Sequence, residues 1–253
     1  MKSDSVLNRK QFVRMGVAAL GGCLFPAISW GESSDALAPS KGDSLAGLAA
    51  DAQGAGTPFL FRGTRETRKI ALTFDDGPSP GVTEPVLDAL EKNGAKATFF
   101  MIGRRVKSSP DLAKRVHSAG HEIANHSYTH PVLGKMSDEQ VRQELQLCQE
   151  TISGTVGITP TWFRPPYGSF RTSQGALTKA QKLGVVIWSV DPRDWARPGA
   201  DVITRRVLGG SCGGDIILCH DLHAQTAHAA PSMIEGLVKK GYQLVTLSEL
   251  ILG

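Results

Sequence analysis

The sequence predicts an α/β fold in which a parallel sheet curls into a barrel, complete or incomplete, under outer helices. Three observations carry that expectation. Seven short apolar runs, suited to strands buried on both faces, alternate with helix-like segments. The connections between them are short, and no internal repeat interrupts the alternation. Of the 253 residues 41% are hydrophobic and 21% charged, enough for a sizeable core and unlike a disordered chain.

The elements follow in order. The expected strands are Ile70–Phe74, Ala97–Ile102, Glu122–Ala124, Trp162–Arg164, Val185–Val190, Ile216–Cys219 and Leu244–Thr246. Lys92-Asn93-Gly94, Leu183-Gly184 and Lys240-Gly241 read as helix stops ahead of a strand. Ser109-Pro110 offers an N-cap and a first-turn proline for a helix that Gly120 ends. Ser137-Asp138-Glu139-Gln140 has the capping-box pattern and opens the helix that carries Leu145 and Cys148.

Residues 68–253 form the expected catalytic domain. Residues 31–67, rich in Ser, Ala, Gly and Asp, read as a linker with a short helix around Leu45–Ala52. Residues 1–30 read as an export signal: Arg9, Lys10 and Arg14 precede an apolar stretch, Met15–Ile28, too short to span a bilayer. Asn8–Val13 resembles a weakened twin-arginine signal, and Leu20-Gly21-Gly22-Cys23 a lipobox that would lipidate Cys23 and attach the chain to a membrane. The expected location is the periplasm, cell envelope or exterior. Cys148, Cys212 and Cys219 lack the paired spacing of a disulfide framework and read as small buried residues, with a Cys212–Cys219 bridge left open. A net charge of +4 without a basic stripe between aromatics argues against nucleic acid as a partner. A monomer is expected.

Chemistry-bearing residues fall at the ends of different strands. Asp75 and Asp76, His126, Arg164, Asp191 and His220 each follow a predicted strand, and the strand ends of a barrel converge on one face. His126 and His130 are four apart, so one helical turn would stack their imidazoles on the same side. With Asp76 they make a three-ligand set for one divalent metal ion, zinc first, with cobalt, nickel or manganese also suited. Gly77-Pro78 should break the pleat, letting Asp76 hold the metal while Asp75 takes a proton from water. His220 is the best general acid, with Asp194 to hold its imidazole, and Arg164 could orient Asp75. Asp191 and Asp194 compete for the supporting role.

The segments Thr73-Phe74-Asp75-Asp76-Gly77-Pro78, His126-Ser127-Tyr128-Thr129-His130, Arg164-Pro165-Pro166-Tyr167-Gly168, Asp191–Trp195 and Leu218–Asp221 together resemble the polysaccharide deacetylases with a NodB-type homology domain, carbohydrate esterase family 4. The resemblance implies a deformed (β/α)7-8 barrel of the NodB type and hydrolysis of an N- or O-acetyl group on a polysaccharide. It implies Asp75 as base, Asp76, His126 and His130 as metal ligands, Arg164 as tether of the base, and His220 as acid supported by Asp194. It further implies the Tyr167 backbone N–H as oxyanion donor, with Trp195, Leu218 and Pro165 lining the acetyl pocket. Cys219 stands where a larger apolar residue is usual and is expected to alter the pocket wall. The expected substrate is an N-acetylated polymer of the peptidoglycan or chitin-like kind. Alternatives on the same scaffold are an acetylxylan O-deacetylase, a small-amide hydrolase and a non-catalytic glycan-binding protein. The short loops Pro131–Met136 and Pro198–Ala200 point to an open groove.

Overall fold

Eight parallel strands curl around one another in the order β1-β6-β5-β4-β3-β2-β7, with β8 pairing beside β2. They are β1 (Phe59–Leu60), β2 (Lys69–Asp75), β3 (Thr98–Met101), β4 (Glu122–Asn125), β5 (Trp162–Phe163), β6 (Gly184–Val186), β7 (Ile216–His220) and β8 (Gln243–Val245). The computed structural model describes residues 59–253. The expected export segment, Cys23 and the Leu45–Ala52 helix lie outside the described residues. Two bridges join the ends of the strand path, Arg62 with Asp215 and Val190 with Ile217. The sheet is therefore a distorted barrel of the (β/α)7 kind.

Seven strands fall on the seven expected runs; β1 does not. It lies within the stretch read as linker, ahead of the expected start at Arg68, and pairs Phe59 with Val185. Two residues are too short to show a period, and β1 is fixed by tertiary packing of Phe59 against Phe170. The run Val185–Val190 also divides. The chain leaves the ladder after Val186 and returns only as the Val190 bridge to β7.

The helices are α1 (Thr83–Lys92), α2 (Gly103–Ser108), α3 (Pro110–Ser118), α4 (Asp138–Val156), α5 (Gly175–Ala180), α6 (Ala200–Gly210), α7 (Ala224–Lys239) and α8 (Leu247–Leu252). Pro110 begins α3, although Ser109 makes no side-chain cap. Ser137 and Gln140 close the capping box of α4 in both directions, and Gly157 ends that helix in the left-handed region at φ 84°. Among the described residues no helix is long and apolar enough to cross a membrane.

Strand alternation sorts the side chains into two layers. Ile70, Leu72 and Phe74 of β2, with Phe99, Met101 and Ile217, face the helices and pack on Val86, Leu90, Met233 and Ile234. Fully burying such a side chain contributes roughly 1.5–3 kcal/mol. Ala71, Phe100, Ala124, Val186 and Ile216 face inward, where Leu247 and Leu250 of α8 complete the cluster. Above Ala71 on that inner side come Thr73 and then Asp75, so β2 carries polar groups toward the C-terminal end of the barrel. Cys219 packs in the outer, helix-facing cluster, so the expectation that it shapes a pocket wall is overturned. Its buried thiol is free, which also removes the Cys212–Cys219 bridge.

The capping box predicts that Ser137→Ala lowers stability by about 1 kcal/mol. Urea unfolding checks this, and an unchanged midpoint would show that the cap contributes nothing.

Candidate active site

Asp75 and Asp76 end β2 and begin the turn into α1. In an extended strand their side chains would diverge, but Asp76 adopts φ 77°, and the reversal sits on Asp76 itself, ahead of the glycine and proline expected to cause it. His126 and His130 do not share a helical turn, as their spacing suggested. They sit on a loop after β4 in which Ser127 (φ 62°) and His130 (φ 66°) both turn left-handed. Asn125 Oδ1 accepts from Ser127 N–H at 2.8 Å, and Ser127 Oγ accepts from His130 N–H at 3.1 Å. Glu144 of α4 clamps the loop tip, accepting from the N–H groups of Tyr128 (2.9 Å) and Thr129 (2.8 Å) and from the Thr129 hydroxyl (2.6 Å).

The loop brings both imidazoles to Asp76. Its Oδ1 lies 3.1 Å from His130 Nε2 and 3.5 Å from His126 Nε2. Two ligands of a tetrahedral zinc, each ~2.0–2.1 Å from the ion, lie about 3.4 Å apart. His126 Nδ1 is 2.7 Å from the Arg164 carbonyl, which can only accept, so this nitrogen carries a proton and Nε2 is the atom turned to Asp76. Asp76 Oδ1 is buried and makes no hydrogen bond. Burial alone would raise the pKa of Asp76, yet the adjacent His126 and His130 imidazoles outweigh it and hold the carboxylate well below its ordinary range. A buried, ionised, unsatisfied oxygen flanked by two imidazole nitrogens fits a divalent cation. These three are the metal-ligating cluster found among the described residues.

Arg164, fully buried, follows β5 and crosses the barrel interior. Its Nη1 donates to Asp75 Oδ1 at 2.6 Å and to Thr73 Oγ1 at 2.7 Å, and its Nη2 donates to the Ile187 carbonyl at 2.9 Å. The guanidinium stacks 4.0 Å over the Phe100 ring. Burial lowers its pKa while the charge of Asp75 opposes the shift, and a guanidinium stays charged throughout.

A second pair stands beside the first. Asp75 and His220 are register partners across the β2–β7 ladder. Asp194 Oδ1 lies 2.7 Å from His220 Nδ1 and accepts from Trp195 N–H at 2.9 Å, while Oδ2 accepts from His220 N–H and Thr226 Oγ1, both at 2.7 Å. Burial would raise the pKa of Asp194, but the hydrogen bond and charge of His220 pull it below the ordinary value. For His220 burial works downward, and Asp194, followed by Asp75 and Asp76, lifts the pKa to about 9. Asp191 caps the Arg193 N–H at 2.7 Å and makes no bond to His220, which decides between the two carboxylates.

Tyr167 sits at φ 59°, its exposed ring edge-on to His130 at 4.7 Å. Trp195 is 43% exposed with the Arg193 guanidinium 5.1 Å above it, whereas Pro165 and Leu218 are buried. Leu218 precedes His220 by two on the same inward side of β7. A groove of about 480 Å³ lined by Asp201, Thr204, Arg205, Leu208 and Lys240 lies on α6 and α7 and includes none of these residues. Sequence reasoning missed Glu144, Asn125, Thr73 and Thr226. Thr73, two before Asp75 on the same side of the strand, had a local signal; Glu144 and Thr226 reach the site only through tertiary contact.

A parallel barrel thus gathers at its strand ends two carboxylate-bearing pairs and a carboxylate–histidine cluster that could hold a metal ion. Residues 62–188 match the family described as polysaccharide deacetylase, and the chain belongs to that family. The match takes in Asp75 through Tyr167, while Asp194, Trp195, Leu218 and His220 lie beyond it. The chain is 40% identical over 186 residues to the peptidoglycan-N-acetylglucosamine deacetylase PgdA of Listeria monocytogenes, covering 74% of this chain and 39% of that protein. It thus spans about two fifths of that relative's length. It is 38% identical to a chitooligosaccharide deacetylase of Bradyrhizobium, covering 73% of this chain and 91% of that one. The crystal structure of the Bc1960 peptidoglycan N-acetylglucosamine deacetylase superposes with a TM-score of 0.73 at 36% identity, over 77% of this chain and 92% of that chain.

The clamp on the histidine loop yields a test. Glu144→Ala should weaken zinc binding about tenfold, the low end for loss of a group that orients metal ligands. Calorimetric titration with zinc measures it, and unchanged affinity would mean the loop holds itself.

Proposed function

We propose that this chain hydrolyses N-acetyl groups of a polysaccharide, a peptidoglycan or chitin-like polymer of N-acetylglucosamine, releasing acetate. The observation that carries this reading is the pairing of Asp75 with His220 across β2 and β7, beside the Asp76–His126–His130 cluster. One strand end thus holds a carboxylate paired with Arg164, and its neighbour holds an imidazole kept protonated by Asp194. Family membership and the relatives' substrates support the glycan assignment. An exported protein acting at the cell envelope fits it.

Asp76, His126 and His130 would hold one divalent cation, zinc by the donor set. When bound, such an ion polarises the amide carbonyl and makes water more acidic. Asp75 accepts the proton of the attacking water, with Arg164 fixing the carboxylate through a charge-assisted hydrogen bond. The carbonyl oxygen takes up the negative charge of the tetrahedral adduct, and the Tyr167 N–H would donate to it. His220 gives a proton from Nε2 to the leaving nitrogen, because Nδ1 is committed to Asp194. Carbon–nitrogen cleavage then leaves acetate and a free amine on the sugar. Acid and base steps are each worth ~10²–10⁴-fold. Trp195, Leu218 and Pro165 line the space for the acetyl methyl group.

Chelated protein should release no acetate from N-acetylglucosamine oligomers or purified peptidoglycan, and zinc or cobalt should restore release from one of them. Asp75→Asn should abolish turnover and leave metal bound; full activity in that variant would remove Asp75 as the base.

The pH profile supplies a second test. With its pKa raised from 6.5 to about 9, His220 carries its proton below that pH and loses it above. Activity should therefore fall as pH rises toward 9, and a cation on Asp76 draws that limit lower by repulsion. Asp194→Asn removes the main raising influence, so the alkaline limb should move down by about one pH unit or more. A limb that stays in place in kcat/KM profiles would reject His220 as the titrating acid.

A further inference from the structure

We propose that Asp221 is a positioning residue whose carboxylate, hydrogen-bonded by Thr83 and packed against Gly77, fixes the turn bearing Asp75 and Asp76 against the strand end bearing His220. The mechanism above uses the residue on one side of it and leaves Asp221 without a part. Its side chain is nevertheless completely buried.

Three contacts give it one. The Asp221 N–H donates to the Asp75 carbonyl at 3.1 Å, a backbone tie from the residue after the acid to the base itself. Thr83 Oγ1, in the first turn of α1, lies 2.6 Å from Asp221 Oδ2 and also accepts from the Ser79 N–H at 2.8 Å. The Ser79 bond uses the hydroxyl as acceptor, so its proton points to Asp221. Asp221 thereby holds the β2–α1 turn at Asp75 through its backbone and at Thr83 through its side chain, and the Thr83 hydroxyl in turn holds Ser79. Gly77 completes the fit: a Cβ there would lie 2.1 Å and 2.4 Å from the two carboxylate oxygens, so only glycine lets the turn close over Asp221.

The arrangement is poor if stability alone is considered. Asp221 Oδ1 is buried without a hydrogen bond, and burial first, then the nearby Asp76 charge, pushes the carboxyl pKa up to about 7. An apolar side chain would fill this space without an unpaired acceptor. It could not bind Thr83, and the turn with Asp76 at φ 77° would lose the group that seats it. Placement of reacting groups is sensitive at this scale, since a 1 Å error can cost about 10²-fold.

This inference rests on the deacetylase reading for its kinetics but not for its metal-binding arm. Asp221→Asn keeps shape and removes charge, and Thr83→Val keeps shape and removes the hydroxyl. In the full-length chain each should lower kcat on N-acetylglucosamine oligomers about tenfold with KM within about twofold. Each should also weaken zinc affinity by titration about tenfold. Thr83→Ser should restore both, and the double variant should be no worse than the worse single one. Loss of thermal stability with zinc affinity and kcat both unmoved would overturn the proposal and leave Asp221 a packing residue. Should the parent release no acetate from any glycan, the deacetylase reading fails, and zinc affinity in the two variants still decides the role of Asp221. Should Asp221→Asn fail to fold, the Thr83→Val and Thr83→Ser pair decides it alone.

Discussion

A guanidinium with no solvent exposure sits inside this barrel, and the site is arranged around it. The Arg164 side chain joins Thr73 and Asp75 of β2 to the Ile187 carbonyl that follows β6, and lies over Phe100 of β3. Its own carbonyl fixes the tautomer of His126. One residue therefore orders both the proposed base and a proposed metal ligand from opposite ends of its chain. Removing one member of such a buried pair typically costs roughly 3–5 kcal/mol, because the other charge is stranded. The inner face leaves room for this by carrying small residues, Ala71 and Ala124, below the guanidinium layer.

The remaining order comes from backbone that a strand or helix cannot supply. Asp76, His130 and Tyr167 all hold positive φ, each at a cost on the order of 1–3 kcal/mol for a residue with a Cβ. Hydrogen bonds from firmer elements oppose that cost at the histidine loop, where α4 contributes Glu144 and β4 contributes Asn125. Rigid helices and strands thus hold short strained loops, and the loops aim the side chains. A site on regular structure alone would not turn Asp75 and Asp76 toward one centre.

Legibility in the sequence followed the range of the interactions. Strands buried on both faces show as apolar runs, so seven of eight were readable, and the capping box of α4 needed only Ser137 and Gln140. Phe59–Leu60 was not, because two residues carry no period and their partner β6 is more than a hundred positions away. The His126–His130 spacing suggested a helical turn because four residues match one, yet Asn125 and Ser127 favour local side-chain bonds that break it. Asp191 and Asp194 are chemically alike and three apart, so composition could not choose. Packing chose, placing Asp194 under His220 and Thr226 and leaving Asp191 to cap its own loop. Glu144 had no local signal, since it acts on backbone contributed by another element, and the part of Asp221 shows only in its contact with Thr83 of α1.

The charge balance fits the proposed hydrolysis of an amide. Asp75 with Arg164 is neutral as a pair, and so is Asp194 with protonated His220. Asp76 brings one further negative charge, faced by the imidazoles of His126 and His130. Adding a divalent cation to that one negative charge leaves a net charge of one positive. Attack on an amide develops one negative charge on the carbonyl oxygen, which a surrounding of opposite sign stabilises most strongly where water is excluded. A second anionic ligand in place of either histidine would cancel that excess and still bind the ion. The Asp–His–His set would therefore leave positive charge for the transition state, and with three protein ligands it would leave open a position that a structural site closes.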